Sequence, residues 1–304
     1  MWNGHHLLSM EHADAPQARA LLALSDADAF APDLLAGRSV ANLFFEDSTR
    51  TRVSFSLAGQ RLGAHVVDLT SKGSSMSKGE TLIDTAWTIE AMGVDALVIR
   101  VGESNACRQI AEQVQIPVIN AGDGTNQHPT QALADALTIG RSLKRNADWD
   151  FSGVRVAIVG DVVSSRVAGS NIGLLQALGA SVVVVGPEAM APDSMASSSG
   201  CEVVHDLDAV VDQVDVMMML RIQFERGGGD GLASKEQYHE SFGLTNARGD
   251  RMKPDAIVMH PGPMNRGVEI ASEVADGARS VILDQVKHGV LVRKAVLATA
   301  ITAR

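Results

Sequence analysis

The sequence predicts an α/β protein made of two three-layer domains. Each has a central, mainly parallel sheet, and two long helices join them. Three observations lead there. Short apolar runs alternate with helix-like segments along the whole chain, the pattern of βαβ units on a parallel sheet. The alternation falls into two series separated by the polar stretch RNADWDFSG. A length of 304 residues suits one large domain or two medium ones.

Taken in order, the first series places strands at 38–45, 64–69, 95–100 and 116–119, with helices at 50–62, 79–92 and 105–114 between them. The segment 129–144, PTQALADALTIGRSLK, opens with Pro129 and Thr130 and continues in good helix formers. It is the first joining helix. The second series places strands at 154–159, 181–185, 215–220, 256–259 and 280–283, and 285–302 is the closing helix. GGGDG, 227–231, reads as a mobile loop, because glycine runs disfavour regular structure. These elements divide the chain at 1–130 and 131–288, with a C-terminal helix, 289–304, packing back on the first domain.

Composition narrows the function classes. With 45% hydrophobic and 20% charged residues the chain has enough apolar side chains for a core. No window of about 18 residues is uniformly apolar, which argues against a membrane helix. MWNGHHLLSMEHADA has neither a basic n-region nor a long apolar h-region, so a cytoplasmic location is expected. Cys107 and Cys201 stand far apart without a CxxC partner, against a disulfide framework or a zinc site. His5 and His6 read as part of a bland N-terminal segment. The net charge of −10 disfavours nucleic acid, which needs broad basic surfaces.

Against that acidic background, FFEDSTRTRVSF at 44–55 stands out. An apolar run ends at Phe45. Ser48, Thr49, Arg50, Thr51 and Arg52 then crowd into five positions. A strand ending there and a helix beginning near Ser48 leave free backbone N–H groups at the positive end of a helix dipole. Hydroxyl donors and a guanidinium fork in the same turn suit a small anion. A capping Ser or Thr with solvated arginines accounts for any one of these residues; the five together favour anion binding. GxxxxGK[ST] is absent, so this is not a Walker loop.

The segment FFE-STRTR resembles the carbamoyl phosphate signature of the aspartate and ornithine transcarbamoylases. The resemblance continues in order through SSMSKGET (74–81), VIRVGE (98–103), NAGDGTNQHPTQALAD (120–135), VAIVGD (156–161), LRIQFER (220–226), HPGPMNRGVEI (260–270) and QVKHGVLVRKAVL (285–297), nearly the whole chain. NAGDG…QHPTQ and RxQxER are similar to the aspartate branch, and HPGP stands where ornithine enzymes carry an HCLP-type motif. The resemblance implies carbamoyl transfer from carbamoyl phosphate to the α-amino group of L-aspartate, an early step of pyrimidine synthesis. It implies no metal, redox centre or organic cofactor, because the acyl phosphate is already activated.

By the same resemblance Ser48, Thr49, Arg50 and Thr51 bind the phosphate, and Arg100 bridges phosphate and carbonyl oxygen. His128, with Thr51 and Arg100, faces that oxygen, while Gln131 fixes the carbamoyl NH2. Pro261 and Gly262 present backbone carbonyls near the reacting nitrogens, and Gly262–Pro263 is a candidate cis bond. Arg166 takes the α-carboxylate of aspartate; Arg221 and Gln223 take the β-carboxylate. Ser74 and Lys78 sit on a loop that the resemblance sends into the active site of an adjacent subunit, so shared sites in a homotrimer are expected. GGGDG and its downstream neighbours match a loop that closes over substrate in relatives. Glu46 and Arg52 are expected to be structural partners. The presence of a regulatory chain or a dihydroorotase partner stays open.

Three other readings compete. VAIVGD followed by VVVVGPE has the outline of a dinucleotide-binding unit, with Glu188 as a ribose-binding acid, but GxGxxG is absent after Gly160. A transcarbamoylase for ornithine needs an anion where Arg221 stands. A catalytically silent scaffold homologue does not require the intact set Arg50, Thr51, Lys78, Arg100, His128 and Arg221.

Overall fold

The computed structural model describes residues 5–70, 79–222 and 234–303. Its first half runs α1 (Ala15–Ala27), β1 (Ser39–Phe44), α2 (Thr49–Arg61), β2 (His65–Thr70), α3 (Leu82–Ala91), β3 (Ala96–Val101), α4 (Ala106–Ala111), β4 (Val118–Asp123) and α5 (Pro129–Ser142). The second half continues with β5 (Arg155–Val159), α6 (Arg166–Ala177), β6 (Ser181–Val185), α7 (Ser194–Ser199), β7 (Glu202–Val204), β8 (Val216–Met219), α8 (Lys235–Phe242), α9 (Asn246–Arg251), β9 (Ile257–Met259), α10 (Ser272–Ala275) and α11 (Ile282–Thr302). The described strands form a four-stranded sheet, β2-β1-β3-β4, and a five-stranded sheet, β7-β6-β5-β8-β9. Every strand pairing between them is parallel.

Parallel sheets are covered on both faces, and the strands show it. In β1, Val40 and Phe44 face the side packed by Phe55 of α2, Leu137 of α5 and Val296 of α11, while Ala41 and Leu43 face Ile89 of α3 and Ile110 of α4. In β5 and β6, Val156, Ile158, Val182 and Val184 belong to the same core as that first group. Ala157, Val159, Val183 and Val185 belong to a second core with Tyr238, Phe242 and Met252. One apolar core therefore runs from sheet to sheet, and α5 and α11 carry it. Among the described residues, α11 packs against α5, α2 and α1. No helix in this set is long and apolar enough to cross a membrane.

The structure departs from the sequence expectation at several elements, among them the short edge strand β7, which was not expected. Ser280 makes only an isolated bridge to Val258, and the run expected as a strand at 280–283 is instead the start of α11 at Ile282. Ile282 packs into the second core, so a short apolar run ambiguous between helix and strand is settled by what it buries against. The sequence reading also passed over α1. Its signals are local: Asp14 caps it, accepting from the Gln17 N–H, and Pro16 stands in its first turn.

Parallel topology aims the C-terminal ends of all strands in a sheet the same way, and ligands in such folds sit beyond those ends. Here both sheets turn those ends toward one crevice.

Candidate active site

The crevice holds a cavity of about 670 Å³. Ser48, Thr49, Arg50, Thr51, Arg100, His128, Gln131, Arg166, Arg221, Pro261 and Gly262, all singled out in the sequence, line it. Ser74, Lys78 and Gln223, and the GGGDG segment, lie outside the described residues. Arg52 is half-buried and not part of the lining. Part of the stretch downstream of GGGDG, expected as loop, is the helix α8.

Three helices begin at the cavity: α2 after β1, α5 after β4 and α6 after β5. None has an acidic residue in its first turn. Their free N–H groups and positive dipole ends are thus left for a bound anion. Ser48 caps α2, its Oγ accepting from the Thr51 N–H at 3.4 Å. Ser165 caps α6, accepting from the Ala168 N–H at 3.2 Å. His128 occupies the cap position of α5 without a side-chain cap bond.

The guanidinium groups add to that field. Arg50 has its pKa lowered, first by burial and then by Arg221. Like charges held this close are a cost that an anion between them removes. Arg100 donates from Nη1 to the Ala121 carbonyl at 3.1 Å. Its Nη2 lies 3.5 Å from Glu46 Oε2. Arg166 donates from Nη2 to the same Glu46 oxygen. Glu46 follows β1 of the first sheet and Arg166 opens α6 of the second, so this ion pair spans the crevice. Glu46 also lines the cavity, which its place as the last letter of FFE, at the end of a strand, could have suggested. Gly122, at φ +119°, lies where Arg100 and Arg166 pass: a Cβ there would come within 2.9 Å of Arg100 Nη1.

His128 is 4% exposed. Its pKa is held well below 6.5, mainly by burial and further by Arg100, Arg293 and Arg166. The ring is therefore neutral at physiological pH and offers one N–H without adding charge to a cationic site. Nε2 stands 3.4 Å from Thr51 Oγ1, and the His128 backbone N–H donates to Ser170 Oγ at 2.8 Å. Gln131 donates through Nε2 to Asp135 Oδ1 at 2.8 Å.

The Gly262–Pro263 bond is cis. Gly262 has φ +67°, and a Cβ built there would fall 2.8 Å from Arg50 Cζ. Gly262→Ala is expected to cost about 1 kcal/mol of stability from the left-handed backbone and to push the Arg50 guanidinium off its place. Thermal melting with and without inorganic phosphate checks this. A variant that keeps the full phosphate-induced shift shows that Arg50 is not displaced.

Asp161, Ser164 and Ser165 also line the cavity and were not singled out from the sequence. Ser165 carried a signal, a capping residue directly before Arg166 at a strand end. Among the described residues, Glu188, Asp193 and His205 bring three possible metal-ligand atoms together. They form an exposed cluster away from the cavity lining. His205 already contacts the Gly186 carbonyl and Asp193, which raise its pKa.

Comparisons with known proteins place this geometry. Residues 5–141 match the aspartate/ornithine carbamoyltransferase carbamoyl-P binding domain, and residues 152–300 match the Asp/Orn binding domain of the same family. The chain is 53% identical to the aspartate carbamoyltransferase catalytic subunit of Granulibacter bethesdensis, over 96% of this chain and 93% of the relative. It is 52% identical to that of Myxococcus xanthus, over 96% and 98%. Among solved structures it resembles Trypanosoma cruzi aspartate transcarbamoylase in complex with carbamoyl phosphate and aspartate, with TM-score 0.85 and 32% identity over 98% of this chain and 97% of the other. It also resembles ornithine carbamoyltransferase from Pyrococcus furiosus, with TM-score 0.84 and 31% identity over 99% and 98%. Backbone shape is thus equally close to both branches, and the higher sequence identities lie on the aspartate side.

Proposed function

The chain belongs to the aspartate/ornithine carbamoyltransferase family, and from that premise we infer that it is an aspartate carbamoyltransferase. It converts carbamoyl phosphate and L-aspartate to N-carbamoyl-L-aspartate and phosphate, in the pathway to pyrimidines. The observation that carries the reading is the meeting of Arg50, Thr51, Arg100, His128, Arg166 and Arg221 around one cavity. That set suits a small acyl phosphate on one wall and a dicarboxylate on the other.

The roles proposed follow the family resemblance, and the cavity lining supports those of the described residues. The phosphate sits at the start of α2, on the N–H groups and side chains of Ser48, Thr49, Arg50 and Thr51. Arg100 reaches both phosphate and carbonyl oxygen. Thr51, Arg100 and neutral His128 surround that oxygen as the amine adds to the carbonyl carbon, and they stabilise the oxyanion as negative charge gathers there. The C–O bond to phosphate then breaks, the electron pair leaves with the phosphate, and the new C–N nitrogen loses a proton. Gln131 and the backbone carbonyls of Pro261 and Gly262 hold the carbamoyl NH2. Arg166 binds the α-carboxylate, and Arg221 with Gln223 binds the β-carboxylate. Holding both substrates in line removes most of the entropy cost of their meeting.

The working unit proposed is a homotrimer in the cytoplasm, with Ser74 and Lys78 reaching the neighbouring site. Val53 and Leu57, one helical turn apart on α2, are exposed and offer apolar surface to a second copy. The division at 1–130 and 131–288 into a carbamoyl phosphate-binding and an aspartate-binding domain, with 289–304 returning to the first, belongs to the same proposal.

The test is direct. Purified protein should form N-carbamoyl-L-aspartate from the two substrates and no citrulline from carbamoyl phosphate and ornithine. Citrulline formation at a comparable rate would assign the chain to the ornithine branch. No product with either amine would leave the scaffold reading.

A further inference from the structure

Asp135 stands one helical turn after Gln131 on α5, so the two share a face of the helix. It is 0% exposed and collects three amide donors from three helices. Oδ1 accepts from Gln131 Nε2 at 2.8 Å and from Gln285 Nε2 of α11 at 2.9 Å. Oδ2 accepts from Asn171 Nδ2 of α6 at 2.8 Å. The oxygen of Gln285 in turn accepts from the His260 N–H at 2.9 Å, directly before Pro261 and Gly262. His260 Nδ1 accepts from the Gly262 N–H at 2.8 Å, and Nε2 meets Glu269 Oε1 at 3.1 Å. One carboxylate thus joins the glutamine on one wall of the cavity to the loop on the other.

The two ends of a glutamine amide are nearly the same size, and only partners decide which end points where. A carboxylate accepts and does not donate, so it binds the nitrogen end and turns the oxygen away. Gln131 lines the cavity with its nitrogen already engaged, which leaves its oxygen for a ligand donor. Burial pushes the Asp135 carboxyl up to about 6, while the three amides and Arg293 of α11 oppose that rise. The group is therefore mainly ionised at neutral pH.

We propose that Asp135 is a positioning residue. Its buried carboxylate aims the Gln131 oxygen at the carbamoyl NH2 and, through Gln285, anchors the loop carrying Pro261 and Gly262. The proposal rests on the carbamoyl-transfer reading given above. It makes Asp135 a source of selectivity for a donor NH2 over an acceptor at the same position, through a side chain that does not line the cavity.

The test is Asp135→Asn, alone and with Gln131→Ala. The new amide turns an NH2 toward one of the donors and frees Gln131 to flip. The single variant is expected to lose roughly 10- to 100-fold in kcat, the range for a mispaired buried hydrogen bond. Its affinity for inorganic phosphate, measured by calorimetry, should stay within about twofold, because the start of α2 is untouched. On the Gln131→Ala background, the same change should cost at least about threefold less than it does in the wild type, the remainder reporting on the loop held through Gln285. Equal losses in both backgrounds, or no loss in either, overturn the proposal.

Should Asp135→Asn fail to fold, Gln131→Glu carries the test. The introduced carboxyl, while protonated, donates to Asp135 and keeps an oxygen toward the cavity. Loss of that proton sets two carboxylates together, facing Arg293 on α11 and Arg50, Arg100, Arg166 and Arg221 in the cavity, with uncharged Asn171 and Gln285 on the remaining sides. Activity relative to wild type should fall at least about tenfold between roughly pH 6 and pH 8. A flat ratio overturns the proposal. A wild-type chain inactive with both amines removes the carbamoyl-transfer reading and this proposal with it. An active wild type with an indifferent Asp135→Asn removes this proposal alone.

Discussion

Arg50→Ala is expected to weaken carbamoyl phosphate binding about a hundredfold, equivalent to about 3 kcal/mol, because a hydrogen-bonded charge pair loses one partner. Three features make the effect large. Arg50 stands at the start of α2, where backbone N–H groups already point at the ligand. Its guanidinium is packed against Gly262, with no room for even a methyl group between them. It also lies close enough to Arg221 for that cation to lower the Arg50 pKa, after burial, a repulsion that a phosphate relieves. The same physics gives a second, opposite expectation. Without ligand, the variant should melt no lower than wild type, because a partly buried like-charge contact has been removed. Calorimetric titration with carbamoyl phosphate and melting curves with and without phosphate check both halves. Unchanged affinity would refute the phosphate assignment.

Mixing two inactive proteins, Lys78→Ala and Arg221→Ala, should restore activity after subunit exchange. If Lys78 serves the neighbouring site and Arg221 its own, some mixed interfaces pair an intact Arg221 with an intact Lys78. Random exchange at equal amounts makes about a quarter of the sites whole, because each site draws one contribution from each of two chains. The signal is a rise from near zero to about a quarter of wild-type activity, and it has no other simple origin. If mixed trimers are demonstrated by mass and the mixture stays inactive, sharing is wrong. A monomer with full activity would dismiss it as well.

The strand and helix order was largely legible in the sequence because backbone structure follows from neighbours a few residues apart. The run RVAIV makes β5, and SVVVV makes β6, since runs rich in β-branched residues suit strands buried on both faces. The exceptions are instructive. The strand expected at 116–119 is β4 and extends from Val118 to Asp123. Asn120 and Asp123 look like loop residues, yet both are buried. Each has its partners: the amide of Asn120 donates to Asp123 and to the Leu8 carbonyl, and Asp123 accepts from the Asn105 N–H. Satisfied polar groups can sit in a buried strand, and part of that satisfaction, from Leu8 and Asn105, comes from residues outside the local turn. At 280–283 the same limit worked in reverse, and long-range packing assigned the run to a helix.

The chemistry of the site divides along the same line. Hydroxyls, backbone donors and a guanidinium gathered after a strand are a local arrangement, so the turn at Ser48–Arg52, proposed to bind the phosphate, could be singled out from twelve letters. The family followed from the order of motifs spread over the chain. Only the fold could bring Arg50, Arg100, His128, Arg166 and Arg221 to one cavity, because they meet only when parallel strands of two sheets aim their ends at one crevice. The neutral state of His128, the Glu46 bridge between the halves and the three amides on Asp135 are likewise products of packing. Desolvation and partner choice depend on what the chain buries beside a group, and the letters on either side of that group do not determine it.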